Sequence, residues 1–146
     1  ARDRRADAEA VLREGVSRMP KEGELHYSLG LLLAEQEKLD QAAVALEQAA
    51  ALLPDRPRVH YNHGLVLQRL GRRAEAGAAL ERAARSAPDE PAFARALAIH
   101  YAQAGRWREA RDEAHRWVAL APGDPDARSV LAHAERALDR SGPGSR

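Results

Sequence analysis

Apolar and small residues recur along this chain at helical spacing. His26, Leu29, Gly30 and Leu33 stand at i, i+3, i+4 and i+7, as do His60, His63, Gly64 and Leu67, and then Ala94, Leu97, Ala98 and Tyr101. Residues three and four apart share one side of a helix, so each set draws a single packing face. A complementary face follows each time, with Leu39, Ala42, Leu46 and Ala49 early in the chain and Trp107, Ala110, Ala114 and Trp117 late in it. The pattern predicts helices in antiparallel pairs and no strand. Pro57, Pro91 and Pro125 suit the first helical position, where a missing N–H costs nothing, while Pro54, Pro88 and Pro122 end the helix before them.

These elements repeat at a fixed step of 34. Pro54-Asp55-Arg56-Pro57, Pro88-Asp89-Glu90-Pro91 and Pro122-Gly123-Asp124-Pro125 align, and so do Gly30, Gly64, Ala98 and Ala132, then Ala42, Ala76 and Ala110, then Leu46, Leu80 and Ala114. Gly71 and Gly105 agree as turn residues, with Glu37 standing at the same place in the first copy. Ala8, Leu12 and Pro20 lie 34 before Ala42, Leu46 and Pro54. A helical hairpin this short cannot bury its face alone, so neighbouring copies must stack.

A 34-residue step carried by these small and apolar columns resembles the tetratricopeptide repeat (TPR), and the resemblance covers nearly the whole chain. It implies an all-α fold, a right-handed α-α superhelix of about eight antiparallel helices. The expected organisation is one array over 1–140: the second helix of a partial copy at 3–19, full copies at 23–56, 57–90 and 91–124, and a capping helix at 125–140. Residues 141–146 are expected to form a flexible tail. The departures are local: Ala98 and Ala132 replace the glycine, Glu37 replaces the turn glycine, and Glu135 falls in an otherwise apolar column.

Composition narrows the function classes. Charged residues make up 31% of the 146 but nearly cancel, to +1, so no net field draws in nucleic acid or an anionic membrane, and neither is expected as a direct partner. There is no cysteine, which removes disulfides, Fe–S clusters and thiolate zinc sites. No run approaches 18 apolar residues. The chain begins without Met and its helical pattern is running by Ala6, which points to a segment of a longer protein. Rich alanine and arginine usage, with only Lys21 and Lys38 as lysines, points to a bacterial source. Between bacterial cytoplasm and periplasm the sequence does not choose.

Candidate chemistry is sparse. Val59-His60-Tyr61-Asn62-His63-Gly64 places two histidines one turn apart, close enough for one ion. His63, however, is equivalent to Leu29, Leu97 and Leu131, so it reads as a neutral, hydrogen-bonded histidine at a helix seam, and a third ligand is missing from its register. A histidine metal site is the weakest alternative, and no metal or cofactor is expected. No Gly-rich phosphate loop or Ser, His and Asp set shares a register, so the chain is expected not to be an enzyme. Trp107 and Trp117, set among Arg106, Arg108, Arg111 and Arg116, fall on the core-facing side of their helix.

What remains is binding. In tetratricopeptide repeats the first helices line a concave groove that receives an extended or helical peptide, and this is what the resemblance implies here. The matching positions are Tyr27 and Leu31; Arg58, Tyr61, Asn62, Leu65 and Arg69; and Arg95 and Ile99. Tyrosines and aliphatics would form an apolar stripe, the arginines a positive edge, and Asn62 a hydrogen-bonding group within it. The family's clamp for a C-terminal carboxylate is matched by Asn62 alone, since Tyr27, Leu31, Ala92 and Ala96 stand where it needs polar or cationic groups. The expected function is a protein–protein interaction scaffold. The alternative is a structural spacer in a larger multidomain bacterial enzyme or export protein, with no ligand in trans. Ala8, Val11, Leu12 and Val16 on the N-terminal helix make self-association through that helix a further expectation.

Overall fold

A computed structural model describes residues 2–140; the tail expected at 141–146 lies outside the described residues. Among the described residues there are eight α-helices and no strand. They are α1 Arg2–Arg18, α2 Gly23–Glu35, α3 Leu39–Leu52, α4 Pro57–Arg69, α5 Arg73–Ser86, α6 Pro91–Gln103, α7 Trp107–Leu120 and α8 Pro125–Arg140. Pro57, Pro91 and Pro125 each open a helix, as their fixed φ and absent N–H dictate.

The turns between paired helices repeat in atomic detail. The N–H of Glu37, Gly71 and Gly105 bonds the carbonyl three residues back, and the next N–H, of Lys38, Arg72 and Arg106, reaches the carbonyl of Leu33, Leu67 and Tyr101. This double closure satisfies the last helical carbonyls and needs a left-handed residue at its centre. Gly71 and Gly105 supply φ of 76° and 71° at no steric cost, whereas Glu37 adopts φ 62° with a side chain attached.

The chain divides into two compact units, one through Ser86 and one from Ala87. In the first, α2 packs on α3, α4 on α5, α3 on α4 and α1 on α2. Its core gathers Leu29, Leu33, Leu46, Val66, Leu67 and the alanines 42, 43, 45 and 76, with Leu12 and Val16 of α1 packed against it. In the second, α6 packs on α7 and both meet α8 around Ala94, Ala98, Ala114, Trp117 and Ala127.

The small-residue column shows why the hairpins close. A Cβ at Gly30 would lie 2.6 Å from Leu46 Cγ, and one at Gly64 would lie 2.8 Å from both Cγ and Cδ2 of Leu80. In the third copy the glycine is Ala98 and the leucine is Ala114, both fully buried. Glycine faces leucine and alanine faces alanine, so the volume at the crossing is shared differently.

Candidate functional site

In the first unit the expected binding residues occupy α2 and α4. Tyr27 and Leu31 lie one turn apart on α2, and Tyr61 and Leu65 one turn apart on α4; all four are half-buried, so each still offers apolar surface. Asn62 Nδ2 donates to Tyr27 Oη at 2.7 Å, which brings Tyr27 and Asn62 together and holds the two helix faces side by side. Arg58 and Arg69 are exposed at the two ends of α4.

The arginines are less available than the sequence implied. Arg69 is paired with Glu37, in the turn after α2. Arg56, just before α4, is likewise paired with Glu24 at the start of α2. The α2–α4 seam therefore carries an ion pair near each end and the Tyr27–Asn62 hydrogen bond between them. Glu37 and Arg56 were missed as parts of this surface. The signal was there: each pair joins opposite charges 32 residues apart, close to one repeat.

Arg95 and Ile99 lie on α6, in the second unit. Ile99 is half-buried, and the exposed Arg95 guanidinium sits 5.9 Å from the centroid of the Trp117 ring, within cation–π range. Trp117 itself is buried, and its indole N–H donates to Asp124 Oδ2 at 3.1 Å. The other oxygen of Asp124 accepts the Asp126 N–H at the start of α8, so one carboxylate anchors the tryptophan and caps a helix. Trp107 is half-buried, and its ring meets that of His133 in a T-shaped contact with centroids 5.3 Å apart.

The histidines have structural partners. His26 Nε2 lies 2.9 Å from the Pro20 carbonyl and His60 Nε2 lies 2.8 Å from the Pro54 carbonyl; a carbonyl only accepts, so Nε2 carries the hydrogen in both. One step on, the register holds Ala94, and the Pro88 carbonyl is taken instead by Arg116, through Nε at 3.1 Å and Nη2 at 3.0 Å. One step further Arg128 donates to the Pro122 carbonyl at 2.8 Å. The same carbonyl thus receives a side-chain donor at every repeat. The hydrogen-bonded seam histidine is therefore His60 rather than His63. His63 is half-buried, and desolvation holds its pKa below the usual imidazole value, with Arg72 and His60 acting the same way and Glu47 and Glu75 opposing. Among the described residues, no three His, Asp or Glu side chains are placed to hold a metal ion, and no helix is long and apolar enough to cross a membrane.

Comparison with known proteins agrees with this repeat geometry. A family model described as tetratricopeptide repeat matches residues 61–125, and one described as TPR repeat matches 30–71. No curated protein matches the sequence. Among solved structures, MamA (41-end) from Desulfovibrio magneticus RS-1 superposes with a TM-score of 0.78 at 18% identity, over 93% of this chain and 82% of that one. A structure of MamA AMB-1 superposes at 0.73 with 27% identity, over 84% and 67%. The first TPR of Spaghetti (RPAP3), bound to the HSP90 peptide SRMEEVD, superposes at 0.75 with 19% identity, over 80% and 93%. By its 34-residue register, its helix pairs and its family matches, this chain belongs to the tetratricopeptide repeat family.

Proposed function

We propose that this TPR scaffold binds a peptide or partner segment on the face of its first helices, using Tyr27, Leu31, Tyr61, Asn62 and Leu65 of the first unit; Arg95 and Ile99 hold the equivalent repeat positions within the second unit. The observation that carries the reading is the Tyr27–Asn62 hydrogen bond. It joins two half-buried apolar stripes, Tyr27 with Leu31 and Tyr61 with Leu65, into one ordered surface. An ordered surface costs a ligand less to engage than one that must form on binding. The RPAP3 domain, which shares the fold, is a TPR holding a peptide. Tyr61 and Leu65 are the expected anchors, because binding energy concentrates at aromatic and packed apolar positions near an interface centre. Arg58 and Arg69 then act on specificity and association rate, favouring acidic or mixed acidic and apolar segments.

The test is capture of a partner from the source cell, followed by affinity measurement with variants. Tyr61→Ala is expected to weaken binding by about 2 kcal/mol or more, with helicity and melting nearly unchanged. A partner that binds Tyr61→Ala and Leu65→Ala as well as wild type would refute this face and favour the spacer role or another surface.

Self-association through α1 belongs to the same reading. Val11 on α1 is 67% exposed and Val44 on α3 is 60% exposed. Val44 lines, with Val16, Leu29, Leu33 and Ala45, the apolar floor of a recess of about 310 Å³ that Arg13, His26, Gln41 and Gln48 also border.

A further inference from the structure

Glu37 is the one residue other than glycine among those described with a positive φ, 62°. The turn around it needs no side chain there. Gly71 and Gly105 form the same pair of backbone hydrogen bonds, and a Cβ added to either would meet nothing within 4 Å. A left-handed backbone costs a residue with a Cβ about tenfold in a conformational equilibrium. What Glu37 gains in return is its ion pair with Arg69, and that pair is open to water, the side chains being 70% and 47% exposed. An exposed pair contributes about fivefold at best, and salt screens it. The turn would be more stable with glycine, so stability does not account for Glu37.

We infer that Glu37 is a specificity-determining residue: an internal carboxylate that occupies Arg69 in the unliganded chain and yields it to a carboxylate of an incoming acidic segment. The inference rests on the first-helix face being the binding surface, and it names what that surface selects. Arg69 ends α4, and its guanidinium prefers a carboxylate partner, which it can hold through two parallel hydrogen bonds. With Glu37 in place, a single stray carboxylate must compete with a partner already tethered by the fold. Only a segment that also fills the apolar stripe gains enough to displace it. Glu37 thus raises the threshold for weakly acidic ligands and leaves the Arg69 contact for those that fit elsewhere.

The experiment compares wild type, Glu37→Gly, Glu37→Gln and Arg69→Gln in the intact chain at low ionic strength. The probe is a capped triglutamate peptide, read by the NMR signal of the Arg69 side-chain Nε–H, assigned by its loss in Arg69→Gln. Both Glu37 variants are expected to reach half response at about fivefold lower peptide concentration than wild type. Glu37→Gly is also expected to shift the unfolding equilibrium toward the native state by about twofold, while Glu37→Gln, which keeps the left-handed side chain, gains nothing. Equal responses of wild type and Glu37→Gly to the peptide, or none in either, overturn the inference; so does a Glu37→Gly chain no more stable than wild type. Failure of the wider binding reading is separately visible: a captured partner indifferent to Tyr61→Ala removes that face while the triglutamate comparison at Arg69 still stands.

Discussion

Replacing Gly64 with alanine adds one methyl group at the tightest point of the second hairpin. The new Cβ would lie 2.8 Å from Cγ and Cδ2 of Leu80 and 3.3 Å from the Ala76 carbonyl oxygen. Neither neighbour can yield easily: Leu80 is 1% exposed, Ala76 is fully buried, and the Leu80 carbons met are the branch Cγ as well as a terminal methyl. Overpacking of this kind costs about 1–3 kcal/mol, while alanine in a helix interior regains about 1 kcal/mol over glycine. The expected net loss is about 1 kcal/mol. Leu80→Ala alone should cost about 2–5 kcal/mol, by transfer and cavity terms. In the Leu80→Ala background, however, the crossing becomes the one the third copy already uses, where Ala98 and Ala114 pack with no exposure. There Gly64→Ala should stabilise by up to about 1 kcal/mol, since the propensity gain survives and the Leu80 clash does not, leaving only the 3.3 Å approach to the Ala76 carbonyl oxygen. The coupling between the two sites is then up to about 2 kcal/mol, within the range for residues in contact. Urea unfolding of all four chains, followed by helical circular dichroism, measures it. If Gly64→Ala changes stability equally in both backgrounds, volume sharing is not what the column encodes. Gly30→Ala should be worse than Gly64→Ala, because its Cβ would come within 2.6 Å of Leu46 Cγ.

His63 should make stability depend on pH: burial holds its pKa below the ordinary 6.5, so the unfolded chain takes up the proton first as pH falls. Its contribution is complete above 6.5 and is lost progressively from there down to the folded-state pKa, so the stability of His63→Leu relative to wild type should rise between pH 7.5 and 5; a flat difference would show the ring to be solvated. Val11→Lys should lower any dimer fraction in sedimentation without changing the melting temperature, whereas Leu12→Lys should also destabilise, because Leu12 packs against the core. An unchanged dimer with Val11→Lys would place self-association elsewhere.

Much of this molecule was legible before folding was considered. Helical periodicity, the proline positions and the 34-residue step follow from local backbone geometry and from the need of each hairpin to bury one face, and both are written in which residues are apolar. Even the crossing partners could be read, since Gly30 with Leu46 and Ala98 with Ala114 keep their offset in every copy. Polar partnerships followed another rule. His26 and His60 hold the proline carbonyl of their repeats, but at Ala94 the same carbonyl is served by Arg116, from a different helix. Arg69, expected as a free positive edge, is occupied by Glu37, and Asn62 by Tyr27. A long side chain can reach several donors or acceptors, and which one it takes depends on where neighbouring helices stand to within an ångström or so. Apolar burial needs only the correct side of a helix, which periodicity supplies, whereas a hydrogen bond needs a distance and an angle, which only the packed chain decides.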